Sequence, residues 1–353
     1  MRKRNAVGRS VTLRPALALA AVLAIAATQS PLVAAGAGSS GVPSSERVAP
    51  RTPLAPAPPA PVPRSALAVS ATVGLRVVTF VDHTRVERFH GGRVEPRTLV
   101  TQIRYPALGP VAGNDVPDAP PKSAAGPFPL VVFGHGFAVT PNTYARLLDA
   151  WARAGYVVAA PFFPLTQKHV PGGRRQVDLI NQPGDMSFVI SSMLADSANP
   201  ASFLHGLLVP DQIAVAGQSD GAATALAAAY DPQFADPRIG AAVILSGAEL
   251  TSIDDDIPFP SQGPPLLAAQ GSRDTINEPS ATLRYFELAP YPKYLLTLIG
   301  ATHLPPYTRS LPYLDIVKRV TIAFLDHALG HDPGSLARMR EFGNVAGFAR
   351  LIG

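Results

Sequence analysis

From about residue 70 onward the chain alternates short, unbroken apolar runs with longer segments whose apolar residues return every three or four positions. The short runs, bounded by Gly, Pro and polar residues, predict strands at 74–81, 99–105, 130–133, 156–160, 212–216, 241–245, 266–270 and 293–298. The periodic segments predict helices at 141–154, 182–196, 221–230, 280–288 and 311–329. Strand and helix in alternation imply an α/β fold: a mostly parallel sheet with helices on both faces and an antiparallel start. No internal repeat is evident. No long insertion follows the strand at 241–245, so a small lid or none is expected.

The chain before residue 66 follows other patterns. Residues 1–40 hold Arg2, Lys3, Arg4, Arg9 and Arg14 but no acid, then an apolar run at 16–27 and small residues around 33–37. That is the layout of a secretory signal peptide, with cleavage near 35–37. An uncleaved signal anchor is the alternative, although the run falls short of the roughly twenty apolar residues that span a bilayer. Residues 41–65 are rich in Pro, Ala and Ser, a composition that favours extended polyproline II and buries no core; they read as a linker. Residues 66–353 are left as one catalytic-sized domain, extracytoplasmic and with no stable membrane span once the leader is removed.

Charge and composition narrow the function. The whole chain has 30 basic and 25 acidic residues, a net charge of +5, and the five basic residues of the leader account for all of it. The exported body is thus near neutral and lacks the basic footprint of a nucleic-acid binder. The absence of cysteine excludes disulfides, a thiol nucleophile and a lipid-anchored N-terminal cysteine.

The candidate chemistry lies where an apolar run meets a helix. Gly217-Gln218-Ser219-Asp220-Gly221 closes the strand at 212–216 and opens the Ala-rich helix at 221–230. A serine hydroxyl is a weak nucleophile unless a tight turn presents it to a base, and flanking glycines let strand and helix pack closely enough for that turn. Asp274 follows the strand at 266–270, and His303 lies on the loop after the strand at 293–298. The chain order Ser, Asp, His at successive strand ends suits three side chains that meet in one crevice. Phe133-Gly134-His135-Gly136-Phe137 ends an earlier strand in a turn. The backbone N–H groups of Phe137 and Asp220 are the expected oxyanion donors.

These motifs, with 97–106, 211–219, Gly271-Ser272-Arg273-Asp274 and Gly300-Ala301-Thr302-His303, resemble the α/β-hydrolase superfamily over roughly residues 70–330. The likeness is to its dienelactone hydrolase, platelet-activating-factor acetylhydrolase-like, chlorophyllase-like and actinobacterial cutinase or polyesterase group. It implies an α/β-hydrolase fold and a serine carboxylic-ester hydrolase working through an acyl-enzyme, with a small-molecule or polymeric ester as substrate and no metal or organic cofactor. Many relatives carry His, Trp or Tyr before the nucleophile and an apolar residue after it, where this chain has Gln218 and Asp220. Substrate class therefore does not carry over.

Several residues have competing readings. Asp254-Asp255-Asp256 could supply the acid or bind calcium, but adjacent carboxylates more often form a solvated loop than surround an ion. His135 suits loop shaping better than proton transfer. The side chain of Asp220 is expected to turn from the oxyanion and leave only its amide to serve. Phe162, Phe163, Leu304 and Tyr307 sit on strand-end loops and are pocket candidates, with ordinary packing as the alternative. Two further function classes remain: a peptidase or amidase with the same three residues, and a silent binding protein on this scaffold.

Overall fold

In the computed structural model the described residues are 72–249, 257–330 and 332–353. The leader, the Pro-rich linker and Asp254–Asp256 lie outside them. The strands are β1 (Thr72–Arg88), β2 (Val94–Ala107), β3 (Val116–Pro117), β4 (Phe128–Gly134), β5 (Val157–Pro161), β6 (Leu208–Gln218), β7 (Ile239–Leu245), β8 (Leu266–Gly271), β9 (Lys293–Leu298) and β10 (Ala349–Ile352). The helices are α1 (Ala145–Arg153), α2 (Gln182–Ala198), α3 (Asp220–Tyr230), α4 (Pro279–Leu288), α5 (Pro305–Thr308), α6 (Tyr313–Ala328) and α7 (Ser335–Gly343).

Among the described residues the strands form one ten-stranded sheet in the order β10-β9-β8-β7-β6-β4-β5-β2-β1-β3. From β5 through β4 and β6 to β9 every neighbouring pair is parallel. The β1–β2 and β2–β5 pairs are antiparallel, which is the expected antiparallel start. All eight predicted strands are present. The short β3, β10 and α5 and helix α7 were not anticipated. In β10 only Ala349 and Leu351 face inward, too few apolar positions to mark a strand by pattern. The segment predicted as one helix at 141–154 opens as a 3-10 turn over Pro141–Tyr144 before α1 begins.

Alternation along the buried strands divides the core between the two faces of the sheet. In β4, Leu130 and Val132 join one cluster with Met186 and Ile190 of α2, Ala222 and Leu226 of α3 and Tyr285 of α4. Val131 and Phe133 join the other, with Leu147 and Trp151 of α1, Val320 and Phe324 of α6 and Met339 of α7. Trp151 donates its indole N–H to Thr321 Oγ1 at 2.8 Å, tying α1 to α6.

Charge also holds one edge of this arrangement. The buried Arg97 guanidinium of β2 bonds Asp178 at 2.7 and 2.8 Å and Asp185 of α2 at 2.6 Å, fastening the turn that leads into α2 to the sheet. Glu87 sits in the same field without a matching cation: it is buried, and its Oε2 has no hydrogen-bond partner among the described residues. Burial pushes its carboxyl up to about 7 from an ordinary 4.5; Arg97 opposes the rise, and Glu95, Asp178 and Asp185 add to it. Because the folded chain holds this proton more tightly than the unfolded one, the stability it contributes is full below about pH 4.5 and is lost as pH rises through about 7.

Glu87→Gln removes that dependence. The variant is expected to exceed the natural chain in stability by about 1–3 kcal/mol at pH 8. Near pH 4.5 the two should be nearly equal. Urea unfolding at both pH values measures the difference, and a gap that does not widen with pH contradicts the assignment.

Candidate active site

The site is built where β4 and β6 lie side by side, with β5 beyond one and β7 beyond the other. Connections leave these two strands in opposite directions, and a crevice opens outside their C-terminal ends. Gly134 ends β4 opposite Gly217 of β6. Three glycines let the backbones of β4, β6 and α3 touch there: a Cβ on Gly217 would lie 2.0 Å from Gly221 O, and one on Gly221 would lie 2.1 Å from Gly134 O. The chain then turns through Ser219, which has φ +57° and ψ −123°, a conformation that L-residues rarely adopt. Such strain persists only where the surroundings enforce it, and here it lifts the side chain off the end of the strand.

His303 Nε2 lies 2.9 Å from Ser219 Oγ, and His303 Nδ1 lies 2.8 Å from Asp274 Oδ2. A carboxylate oxygen can only accept, so Nδ1 carries the proton and Nε2 presents a lone pair to the serine hydroxyl. Asp274 is buried on the loop after β8. Its other oxygen accepts the N–H groups of Ile276 at 2.9 Å and Asn277 at 3.1 Å. Burial raises its pKa, but the hydrogen bonds from His303 and the Ile276 amide outweigh burial, and the carboxyl is held below its ordinary range. The structure thus brings together the three residues that the sequence singles out, in one hydrogen-bonded chain.

On the other side of Ser219 lies the turn after β4. A Cβ on Gly136 would stand 3.2 Å from Ser219 Cβ, so the turn passes directly beside the serine. His135 is buried and bonds twice: Nδ1 to Gly136 O at 2.8 Å, and Nε2 to the N–H of Phe163 at 3.0 Å. The first must be donated and the second accepted, which fixes the neutral Nδ1–H tautomer. Burial drives the ring's pKa down to about 4, only partly offset by the bond to Gly136, so the neutral form persists to well below neutral pH. The carbonyl of Gly136 and the N–H of Phe137 belong to one planar trans peptide. Pinning the first therefore aims the second the opposite way. Asp220 opens α3, where its N–H has no intrahelical acceptor. The two amides named as oxyanion donors accordingly lie on the two segments that flank Ser219.

The pocket candidates divide. Phe162 and Leu304 are half-buried at the crevice. Phe163 and Tyr307 are fully buried, which corrects the expectation that they line a pocket. Phe163 packs its ring on His135 at 5.1 Å, and Tyr307 bonds Ser246 Oγ at 2.9 Å and Ala269 O at 3.0 Å, so both support the site from beneath. Phe137 is itself half-buried, with the Arg174 guanidinium 5.7 Å from its ring centre. The Asp220 carboxyl is buried beside Gln176, whose Nε2 is 3.5 Å away. Burial lifts it to about 6, against the lowering influence of Gln176 and His303.

The supporting bonds of three residues escaped the sequence reading. Gln270 donates to Asp274 Oδ2 at 3.3 Å, Gln218 donates to His303 O at 3.1 Å, and Tyr144 donates to Gln218 Oε1 at 2.7 Å. Gln270 did leave a signal, as the polar residue that ends an otherwise apolar buried strand. Tyr144 left none, since an aromatic at the start of an amphipathic helix reads as core.

Comparison with known proteins agrees with this architecture. A family model described as chlorophyllase matches residues 106–245. No curated protein matches the chain. Among solved structures, a ferulic acid esterase from Streptomyces cinnamoneus superimposes with a TM-score of 0.59 at 22% identity, over 75% of this chain and 92% of that one. At that identity the likeness speaks for the fold. With its mostly parallel sheet, its likeness to the chlorophyllase family over 106–245 and the solved structure it superimposes on, the chain has an α/β-hydrolase fold.

Proposed function

We propose that the protein is an exported serine carboxylic-ester hydrolase that cleaves soluble short-acyl esters or accessible ester bonds of a polymer. The observation that carries the reading is the hydrogen-bonded chain from Ser219 Oγ to His303 at 2.9 Å and on to Asp274 at 2.8 Å. The family likeness to chlorophyllases and the fold shared with a ferulic acid esterase support ester chemistry. The basic, apolar and small-residue order of 1–40 supports export.

In this reading Ser219 Oγ attacks the ester carbonyl while His303 Nε2 takes its proton. Asp274, ionised and held by four donors, keeps the ring in the tautomer that leaves Nε2 free and stabilises the imidazolium as it forms. The N–H groups of Phe137 and Asp220 receive the oxyanion, and His303 returns the proton to the departing alcohol. Water activated by the same histidine then releases the acyl group.

Ser219→Ala is expected to lower kcat on a p-nitrophenyl ester by roughly a thousandfold or more with the fold intact, because residues of such a unit fail together. A variant that keeps more than about a tenth of the natural rate excludes Ser219 as nucleophile. Asp274→Asn should be severely impaired, since an amide favours the wrong tautomer and cannot balance the imidazolium. Substituting Asp254, Asp255 and Asp256 together by Asn should leave the rate within about twofold, since this reading gives them no part in the reaction. The reverse pattern would move the acid to that loop.

Acyl length offers a separate test. The absence of a long insertion after β7 points to an open crevice, so butyrate esters should be cleaved faster than palmitate esters both below and above the palmitate's aggregation point. Strong activity on palmitate that sets in only above that point would reveal an interfacial lid.

A further inference from the structure

The residue before the serine, Gln218, joins the two halves of the site. Its Nε2 is 3.1 Å from the carbonyl oxygen of His303 and 3.3 Å from His303 Nε2, and its Oε1 is 2.7 Å from the hydroxyl of Tyr144. That hydroxyl lies 3.3 Å from the N–H of Gly136. Gln218 and Tyr144 are both buried, so these bonds have no competing water at their centres.

The direction of each bond follows from chemistry alone. A backbone N–H can only donate, so Gly136 donates to the Tyr144 oxygen, and the tyrosine turns its own proton to Gln218 Oε1. This settles which way the glutamine amide faces: oxygen to the tyrosine, nitrogen to the histidine loop. From Nε2 the amide donates to the His303 carbonyl, which fixes the backbone that carries the imidazole. Gly136 contributes the carbonyl side of the peptide whose N–H is the Phe137 oxyanion donor, and the same residue starts this relay. One continuous set of donors therefore runs from the oxyanion turn to the base.

We propose that Gln218 and Tyr144 are positioning residues that set His303 and the Gly136–Phe137 turn in register with each other around Ser219. The inference rests on the esterase reading above. Neither side chain is assigned a proton in the reaction. When His303 gains the serine's proton its Nε2 becomes a donor, and the amide's remaining bond to the carbonyl holds the loop in place. An apolar side chain of similar length at 218 would leave the Tyr144 hydroxyl and the His303 carbonyl without their partner. A misplacement of even about 1 Å between reacting groups can cost on the order of a hundredfold in rate.

The test compares Gln218→Met, Tyr144→Phe, the double variant and Gln218→His in hydrolysis of p-nitrophenyl butyrate. Rates are expressed per active site, titrated by the burst of p-nitrophenol from an organophosphate, so that misfolded protein does not count. Gln218→Met and Tyr144→Phe are each expected to lower kcat roughly ten- to a hundredfold with KM nearly unchanged. The double variant should lie within about threefold of the slower single, because both changes cut one relay. Gln218→His, whose two ring nitrogens can accept from Tyr144 and donate to the loop, should recover much of the rate.

Single variants whose kcat per site stays within about twofold of the natural value overturn the inference, as do losses that multiply in the double variant. Tyr144→Phe removes one oxygen and keeps the ring. It decides the matter together with Gln218→His should Gln218→Met fail to fold, which its thermal melt reveals. Ser219→Ala run alongside separates the two claims: if it retains activity, the esterase reading falls and takes this inference with it, whereas a dead Ser219→Ala beside unaffected Gln218 and Tyr144 variants removes this inference alone.

Discussion

The whole site depends on the absence of side chains at three adjacent backbone positions. Gly134, Gly217 and Gly221 bring β4, β6 and the first turn of α3 into direct contact, at separations that no Cβ could occupy. The close approach forces the chain at Ser219 into its positive φ, and that strain in turn raises the hydroxyl above the sheet. The same contact sets the turn after β4 beside the start of α3. Any side chain at Gly221 would have to displace the backbone of Gly134 or His135, moving serine and turn together.

Around this fixed point, burial and hydrogen bonding assign different states to chemically similar groups. Asp274 and Asp220 are both buried aspartates a short way from His303. The first receives a histidine N–H and two backbone amides, and its carboxyl is held down despite burial. The second has, among the described residues, one long hydrogen bond from Gln176, and burial lifts it to about 6. Likewise His135 and His303 are two imidazoles with different surroundings. His135 is sealed from solvent and bonded on both nitrogens to backbone, which leaves it neutral and immobile, a brace for the peptide beside the serine. His303 has one nitrogen on a carboxylate and the other on a hydroxyl.

The sequence made the strand order of chemistry legible because the strand interiors are uniformly apolar and end in glycine-containing turns. Ser219, Asp274 and His303 each follow such a run, and the parallel sheet carries their loops to one end. Phe163 and Tyr307 were misread as pocket residues because position on a loop does not report depth: one packs against His135, the other hydrogen-bonds to Ala269 of β8. Arg97 with Asp178 and Asp185 was invisible for another reason. Their separation in the chain gives no periodic signal, and only the fold shows that a charged strand position faces two carboxylates. Gln218 stood out in the sequence as a departure from its relatives, but its meaning needed Tyr144, which the 3-10 turn before α1 delivers from a different part of the chain.

The central claim is that this geometry makes Ser219 a nucleophile. Labelling the folded protein with a fluorophosphonate, followed by digestion and mass spectrometry, tests it most directly, because the reagent phosphonylates a serine only where a base and an oxyanion site activate it. The account predicts one adduct, on the peptide containing Ser219, and its loss when His303 is replaced by Ala. Labelling that leaves Ser219 unmodified, or that is indifferent to His303, would contradict it.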